Sequence, residues 1–147
     1  MAQVRVPKTA EELLPFCRPW VARLPNACFA TYADLVMFAA GVGFQKLGGK
    51  SPPQCHSFVE EKQPHPIDFG VFKSPGQQLY PLVLLLGLAS IKSHDAVRDE
   101  ERLVRVVENF ADVGFQELSK KLGASTPEHF HIELAELLLE AAQGREA

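Results

Sequence analysis

The stretch that decides the fold spans residues 32–50 and reads YADLVMFAAGVGFQKLGGK. Its apolar residues, Leu35 and Phe38 among them, recur at helical spacing, which predicts an α-helix with one buried face. Thr31 precedes the run and is a suitable N-cap, while Gly48 is the residue type that commonly ends a helix. We therefore predict a central helix between these two residues.

The same helix carries four small residues in sequence proximity: Ala39, Ala40, Gly41 and Gly43. Since the distance between two packed helices depends on the side chains at their contact, small residues allow a close approach. We expect a second helix to pack against this one.

Two other interpretations of the stretch fail. From Tyr32 to Phe44 there are 13 residues, with Asp34 among them, whereas a helix that spans a membrane needs roughly 18 or more apolar residues. The apolar run at residues 79–91, LYPLVLLLGLASI, is also too short. Both runs are predicted to be core helices, and no membrane partner is expected.

A phosphate-binding loop is the second interpretation. Gly43 and Gly48 have the spacing of the first two glycines of a Walker motif, but Gly49 stands where that motif needs its lysine. No strand pattern precedes the glycines. Helix termination is therefore the favoured explanation.

Capping signals predict four further helices. They begin at TAEE (residues 9–12), at SPGQ (74–77), around residue 99, and at STPE (125–128). The third helix could instead begin nearer Tyr80, because Pro81 lies close to its start. Its residues are apolar all round, which predicts burial on most sides. The fourth runs to Leu122 with two apolar stripes and one polar stripe.

The segment between the second and third helices differs from the rest. Residues 50–73 are rich in proline and include CHSFVEE and IDFGVF, which alternate well enough for short strands or an extended loop. The predicted fold is therefore mostly α: a compact bundle of about five helices with a short extended or β-ribbon excursion between helices 2 and 3. We expect one domain, residues 1–147, with flexible ends at 1–8 and 143–147.

Composition limits the function classes. The net charge of −3 argues against a dedicated nucleic-acid binder. Three irregularly spaced cysteines imply no disulfide framework, and the first residues lack the apolar core of a signal peptide, so we expect a cytoplasmic protein. No paired metal-ligand motif is present, and His129 and His131 would point about 200° apart on a helix. We expect neither a metal nor a cofactor.

The candidate contact residues are basic. Arg98, Arg102 and Arg105 have spacings of four and three, which place them along one helical face suited to phosphates or to an acidic partner. Lys46 and Lys50 form a second, weaker basic spot. The favoured alternative is that the nearby acidic residues neutralise the arginines in ordinary surface pairs: Asp99, Glu101 and Glu108.

One pair of residues could serve an enzyme. Cys55 beside His56 is the one candidate for a reactive thiol, because it lies in the irregular loop, whereas the other two cysteines sit among large apolar residues. Simple exposure in a loop is the competing explanation. No other catalytic motif stands out, and we predict no catalytic residue.

Three segments resemble, in the same order, the fourth family of Dnd-system-associated proteins. FAAGVG at residues 38–43 is similar to that family's LVFAAALG helix, IDFGVF at 67–72 to its I-x-x-x-VF segment, and FADVG at 110–114 to its last helix. The resemblance covers roughly residues 28–140. The chain departs from the family at Gly41, where alanine or leucine is common, and in a longer proline-rich loop.

The resemblance implies membership of the cassettes that install or police phosphorothioate groups in bacterial DNA and act in defence against foreign DNA. It implies a non-enzymatic accessory or regulatory protein whose partners are other proteins of the same cassette. A direct DNA-binding or DNA-sensing regulator is the alternative, and a small enzyme that uses Cys55 and His56 is a weaker one. Contact with DNA and formation of a homodimer both stay open.

Overall fold

α-Helices dominate the computed structural model, as the sequence predicts. The structure describes residues 2–11, 13–14, 29, 31–48, 50–59, 66–74, 78–91, 98–122 and 135–139. The elements in chain order are strand β1 (Gln3–Val4), a 3₁₀ helix (Lys8–Ala10), α1 (Tyr32–Leu47), strand β2 (Ile67–Asp68), α2 (Phe69–Lys73), α3 (Tyr80–Ile91) and α4 (Glu100–Leu122). Residues 135–139 form a further helical segment.

Helix α1 begins and ends where the sequence predicts. The Thr31 hydroxyl accepts a hydrogen bond from the Asp34 backbone N–H at 3.1 Å, which satisfies a donor of the first turn that has no partner within the helix. At the other end Gly48 adopts a left-handed conformation with φ of 57°, and its N–H donates to the carbonyls of Phe44 and Gln45. Glycine adopts this conformation without strain and so ends the helix here.

Helices α1 and α4 cross at two glycines. A Cβ atom on Gly43 would lie 2.0 Å from the carbonyl oxygen of Phe110, and one on Gly114 would lie 1.7 Å from that of Ala39. Backbone therefore touches backbone, which only a residue without a side chain permits. Gly41 has nothing within 4 Å of its Cβ position, so it does not serve the close approach that the sequence assigns to it.

The core surrounds this crossing. The Phe44 ring packs edge-on against the Phe110 ring, with centroids 5.6 Å apart. The two apolar stripes predicted for α4 are buried at Leu103, Val104, Val106, Val107, Phe110, Ala111, Phe115 and Leu118. A helix buried on two stripes packs against more than one neighbour, and α4 contacts α1, α3, the 3₁₀ helix and β1.

Parts of the segment at residues 50–73 pair with the N-terminal segment. Strands β1 and β2 are antiparallel, with Val4 opposite Ile67, and an isolated bridge joins Pro7 to Phe58. Three residues of the N-terminal segment are buried: Ala2, Val4 and Val6. Whereas the sequence predicts a flexible end at 1–8, the structure shows residues 2–8 paired and packed.

The segment IDFGVF is extended only in part. Ile67 and Asp68 form β2, as predicted, but Phe69–Lys73 form the short helix α2. The Asp68 carboxylate accepts a hydrogen bond from the Gly70 N–H at 2.8 Å, and this N-cap is the local reason for the change from strand to helix.

Two predicted helices lie largely outside the described residues. The first, expected from residue 9 to about 24, is described only at residues 9–11 and 13–14, and its start is a 3₁₀ helix without a side-chain cap. Most of the fifth, expected from residue 125, and the C-terminal end at 143–147 are likewise outside. The third helix begins at Tyr80, the later of the two predicted starts.

Candidate functional site

Polar residues in the middle of α4 contact the N-terminal segment. Glu108 is 1% exposed. Its carboxylate accepts hydrogen bonds from the Arg5 guanidinium at 3.0 and 3.1 Å and from the Arg5 backbone N–H at 2.7 Å. The guanidinium carbon also lies 3.8 Å from the centre of the Phe58 ring. A buried carboxylate is costly unless it is paired and hydrogen-bonded, and Arg5 meets both conditions.

Two further hydrogen bonds join this part of α4 to the N-terminal segment and to the loop that contains Cys55. The Thr9 hydroxyl donates to the Asp112 carboxylate at 2.8 Å, so Thr9 anchors the N-terminal segment and is not the helix cap that the sequence predicts. The Cys55 backbone N–H donates to the Asn109 side-chain oxygen at 2.9 Å. The central polar residues of α4 are therefore structural.

The environment of Cys55 contradicts a reactive thiol. Cys55 is 6% exposed, and its Sγ lies 3.4 Å from the carbonyl oxygen of Ser57. Burial, followed by the negative charge of Asp112, raises the pKa of the Cys55 thiol to about 11. At pH 7 only roughly one thiol in 10⁴ would be ionised, while the adjacent His56 is exposed. The predicted loop exposure is wrong for Cys55, and the hypothesis of a Cys55–His56 nucleophile loses its basis.

Three arginines near the start of α4 are exposed, and they are here called the arginine face: Arg98, Arg102 and Arg105. Arg102 and Arg105 lie in the first two turns of α4, and Arg98 lies two residues before it. None of the three makes an ion pair with a residue that the structure describes.

Of the three acids predicted to neutralise this face, one is paired elsewhere and two lie beside the face. Glu108 is buried against Arg5. The Asp99 carboxylate accepts hydrogen bonds from the backbone N–H groups of Glu101 and Arg102 at 3.1 and 3.4 Å, and so acts as the cap of α4. Of the three acids, Glu101 alone is left beside the arginine face without a hydrogen-bonded role in the described part of the chain.

The two lysines predicted as contacts do not join the arginine face. Lys46 Nζ lies 3.6 Å from the carboxylate of Glu117, which Lys121 also approaches at 3.5 Å. Glu117 follows Arg105 by twelve residues, which is about 18 Å along a helix. Lys50 is exposed and lies three residues beyond α1.

Helix α3 presents an exposed surface of a different kind. The apolar face of α3 consists of Pro81, Leu82, Leu85, Leu88 and Ala89. Leu82, Leu85 and Leu88 are 48%, 63% and 39% exposed. At 100° per residue the five positions cover an arc of about 120°, and no residue from 79 to 91 is charged. The expectation of burial on most sides is therefore too broad, because this third of the helix faces solvent.

A family model described as DNA sulphur modification system-associated protein 4 matches residues 3–146, nearly the whole chain. The chain belongs to this family. The match confirms the resemblance carried by the three sequence segments, and it places the protein among those associated with a DNA sulphur modification system. No curated protein and no solved structure matches the chain.

Sequence reasoning missed the exposed apolar face of α3 in this member of the DNA sulphur modification system-associated protein 4 family. A helix that is apolar on every side gives no periodic signal that separates its buried side from Leu82 or Leu85. No group of three metal-ligating side chains occurs among the described residues. Of the helices that the structure describes, none combines the length and apolar character needed to cross a membrane.

Proposed function

We propose that this protein is a non-enzymatic accessory subunit of a DNA sulphur modification system and acts by binding another protein of that system. The apolar face of α3 is the observation that carries the proposal. Water-exposed leucines in one contiguous patch cost solvation free energy that contact with a partner would recover.

The chemistry of the face defines its partner. Leu85, the most exposed member at 63%, lies at the centre of the arc, with Leu82 and Leu88 one turn to either side. A partner surface that matches it must be apolar and uncharged at its centre, because a buried charge would find no opposite charge on α3. Since the family is associated with a DNA sulphur modification system, a protein of that system is the occupant that we assign.

The test is co-purification of the tagged chain with the other proteins of its own system, expressed together. Truncating a hot-spot residue near the centre of an interface costs about 2 kcal/mol or more, about a 30-fold loss of affinity. We expect Leu85→Glu to abolish recovery of an identified system protein. Leu139→Glu is the matched control, because Leu139 is 59% exposed but lies on the helical segment at residues 135–139.

The outcomes separate the alternatives. Equal recovery with Leu85→Glu and Leu139→Glu would overturn docking on α3. A wild-type chain that is dimeric by light scattering, and monomeric as Leu85→Glu, would assign the face to a second copy of the chain instead.

The arginine face supports a second candidate function, direct contact with DNA. Glu108 is buried against Arg5, while Asp99 and Glu101 stay beside the three arginines, so the described residues of the face keep a small net positive charge. Binding to duplex DNA should weaken steeply with salt, and loss of three phosphate contacts should reduce the slope of log K against log salt by about 3. The direct test compares wild type with Arg98→Ala/Arg102→Ala/Arg105→Ala on duplexes with and without phosphorothioate linkages.

Lys46→Ala is the control for that experiment, since Lys46 pairs with Glu117 away from the arginine face. A salt slope that is unchanged in the triple variant, or lowered equally by Lys46→Ala, would contradict a DNA contact at this face.

A further inference from the structure

A polar cavity lies where the 3₁₀ helix meets the C-terminal half of α4. Its volume is about 360 Å³, and its lining residues are Lys8, Thr9, Glu11, Gln116, Ser119 and Lys120. All six carry a polar or charged side chain, so the cavity differs from the apolar surfaces of α3. Neither the arginine face nor the apolar face of α3 shares a residue with it.

One of the lining residues has an unmet hydrogen-bonding group. The Ser119 hydroxyl oxygen is buried and has no hydrogen-bond partner in the described part of the chain. Leaving such a group unpaired is unfavourable, and buried polar atoms in folded proteins nearly always have a partner. A ligand with hydrogen-bond acceptors in this cavity would meet that need.

The charges around the cavity define the ligand class. Lys8 and Lys120 each contribute a positive charge, and Glu11 contributes one negative charge, so the lining residues that the structure describes carry a net positive charge. Two ammonium groups disfavour a metal cation, whereas ammonium, hydroxyl and amide groups together are the usual donors to a phosphate. We propose that this cavity binds a phosphate-type oxyanion.

The cavity is held in shape from two sides. The Lys8 backbone N–H donates to the Ser57 carbonyl at 3.0 Å, and the Thr9 hydroxyl donates to Asp112 on α4. These bonds fix the backbone of the 3₁₀ helix against α4. The backbone positions of Lys8 and Thr9 therefore do not need to be ordered when the ligand binds, which lowers the entropic cost of binding.

The proposed oxyanion binding is independent of the proposed docking on α3. It is also separate from the arginine face, because Lys120 follows Arg105 by fifteen residues, or about 22 Å along a helix. Oxyanions of this class could be free phosphate or the phosphodiester groups of DNA, and the experiment must distinguish these two sources.

The experiment titrates the full chain with inorganic phosphate, with inorganic thiophosphate and with a short duplex DNA, while sodium chloride keeps the ionic strength constant. Backbone amide NMR signals of residues 8–11 and 116–120 report binding. We expect Lys120→Ala to weaken binding by about 10-fold or more and Ser119→Ala by about 3-fold to 10-fold. Lys121→Ala is the matched control, because Lys121 is adjacent in sequence but approaches Glu117 and does not line the cavity.

Saturable shifts with inorganic phosphate or thiophosphate, weakened by Lys120→Ala but not by Lys121→Ala, would support a free oxyanion as ligand. The same variant pattern with duplex DNA alone would support the phosphodiester source. The proposal is overturned if no probe shifts these signals, or if Lys121→Ala weakens binding as much as Lys120→Ala.

Discussion

Gly43 lies at the crossing of α1 and α4, whereas Gly41, two positions earlier in α1, does not. The same substitution at the two residues therefore tests the crossing. Gly43→Ala places a methyl group 2.0 Å from the Phe110 carbonyl oxygen, whereas Gly41→Ala places the same group where nothing lies within 4 Å. Both substitutions remove a helical glycine, so both gain up to about 1 kcal/mol of helix propensity. Only Gly43→Ala adds a steric conflict.

The magnitude of that conflict follows from the geometry. Ordinary contact at a Cβ atom begins near 3.4 Å, so α1 and α4 would have to separate by more than 1 Å at Gly43. Because the opposing atom belongs to backbone, no side-chain rotation can relieve the overlap. Gaps of 0.5–1 Å already forfeit a quarter to a half of the dispersion energy of the contacts concerned, and overpacking costs about 1–3 kcal/mol, occasionally more.

Because the overlap is with backbone, we take the upper end of that range, about 3 kcal/mol, and subtract the gain of up to about 1 kcal/mol in helix propensity. We therefore expect Gly43→Ala to lower the free energy of unfolding by about 2 kcal/mol and Gly41→Ala to raise it by up to about 1 kcal/mol. In thermal unfolding the first corresponds to a fall in Tm of roughly 4–8 °C. Gly87→Ala should cost less than Gly43→Ala, because its methyl group meets only the end of the Leu103 side chain, at 2.5 Å.

Urea unfolding followed by circular dichroism measures these differences, and equal m-values would show that the variants unfold between comparable states. The reasoning is refuted if Gly43→Ala is as stable as wild type. It is also refuted if Gly41→Ala and Gly43→Ala are destabilised equally, since that would locate the effect in α1 itself and not in its crossing with α4.

Three further predictions concern single residues. Arg5→Ala should lower the free energy of unfolding by about 2–3 kcal/mol in urea titrations, because it leaves the buried Glu108 carboxylate with one hydrogen bond in place of three. Adding Glu108→Gln to Arg5→Ala should partly restore the stability, because the buried group is then uncharged. The pKa of Cys55 is raised to about 11. The stability that the protonated thiol contributes is therefore present below about pH 9 and is lost as the pH rises through 11. Between pH 8 and 10 the midpoint of urea unfolding should fall less for Cys55→Ala than for wild type. Leu85→Glu should change the free energy of unfolding by no more than about 0.5 kcal/mol, since Leu85 is exposed, and a larger loss would show that it packs within the monomer.

The helices α1 and α4 could be predicted closely because their signals are local. Thr31 and Gly48 act on backbone groups within one turn of themselves, and α4 begins and ends within one residue of its predicted bounds. The family could be predicted for a related reason, since the segments that resemble it are packing motifs along these helices.

The surroundings of α4 could not be predicted, because they depend on distant parts of the chain. Glu108 looks like a surface residue beside the arginines, yet its partner Arg5 lies 103 positions away in sequence. Cys55 looks exposed in a proline-rich loop, yet that loop is held against α4 by Asn109. A helical stripe shows which residues share a side, but it does not show what covers that side.

The exposed side of α3 and the polar cavity could not be predicted from the sequence, for two different reasons. Periodicity fails in α3 because almost every residue is apolar, so no polar positions mark Leu82 or Leu85 as exposed. The cavity brings together Lys8 and Lys120 from the two ends of the sequence, which no local pattern connects.

The most direct test of docking on α3 is photo-cross-linking from Leu85 in cells that contain the complete DNA sulphur modification system. Leu85 is replaced by p-benzoylphenylalanine, and the cross-linked partner is identified by mass spectrometry, with the same replacement at Leu139 as the control. We predict that Leu85, but not Leu139, cross-links to another protein of the system. A cross-link from Leu85 to a second copy of the chain alone, or no cross-link from Leu85, would contradict this account.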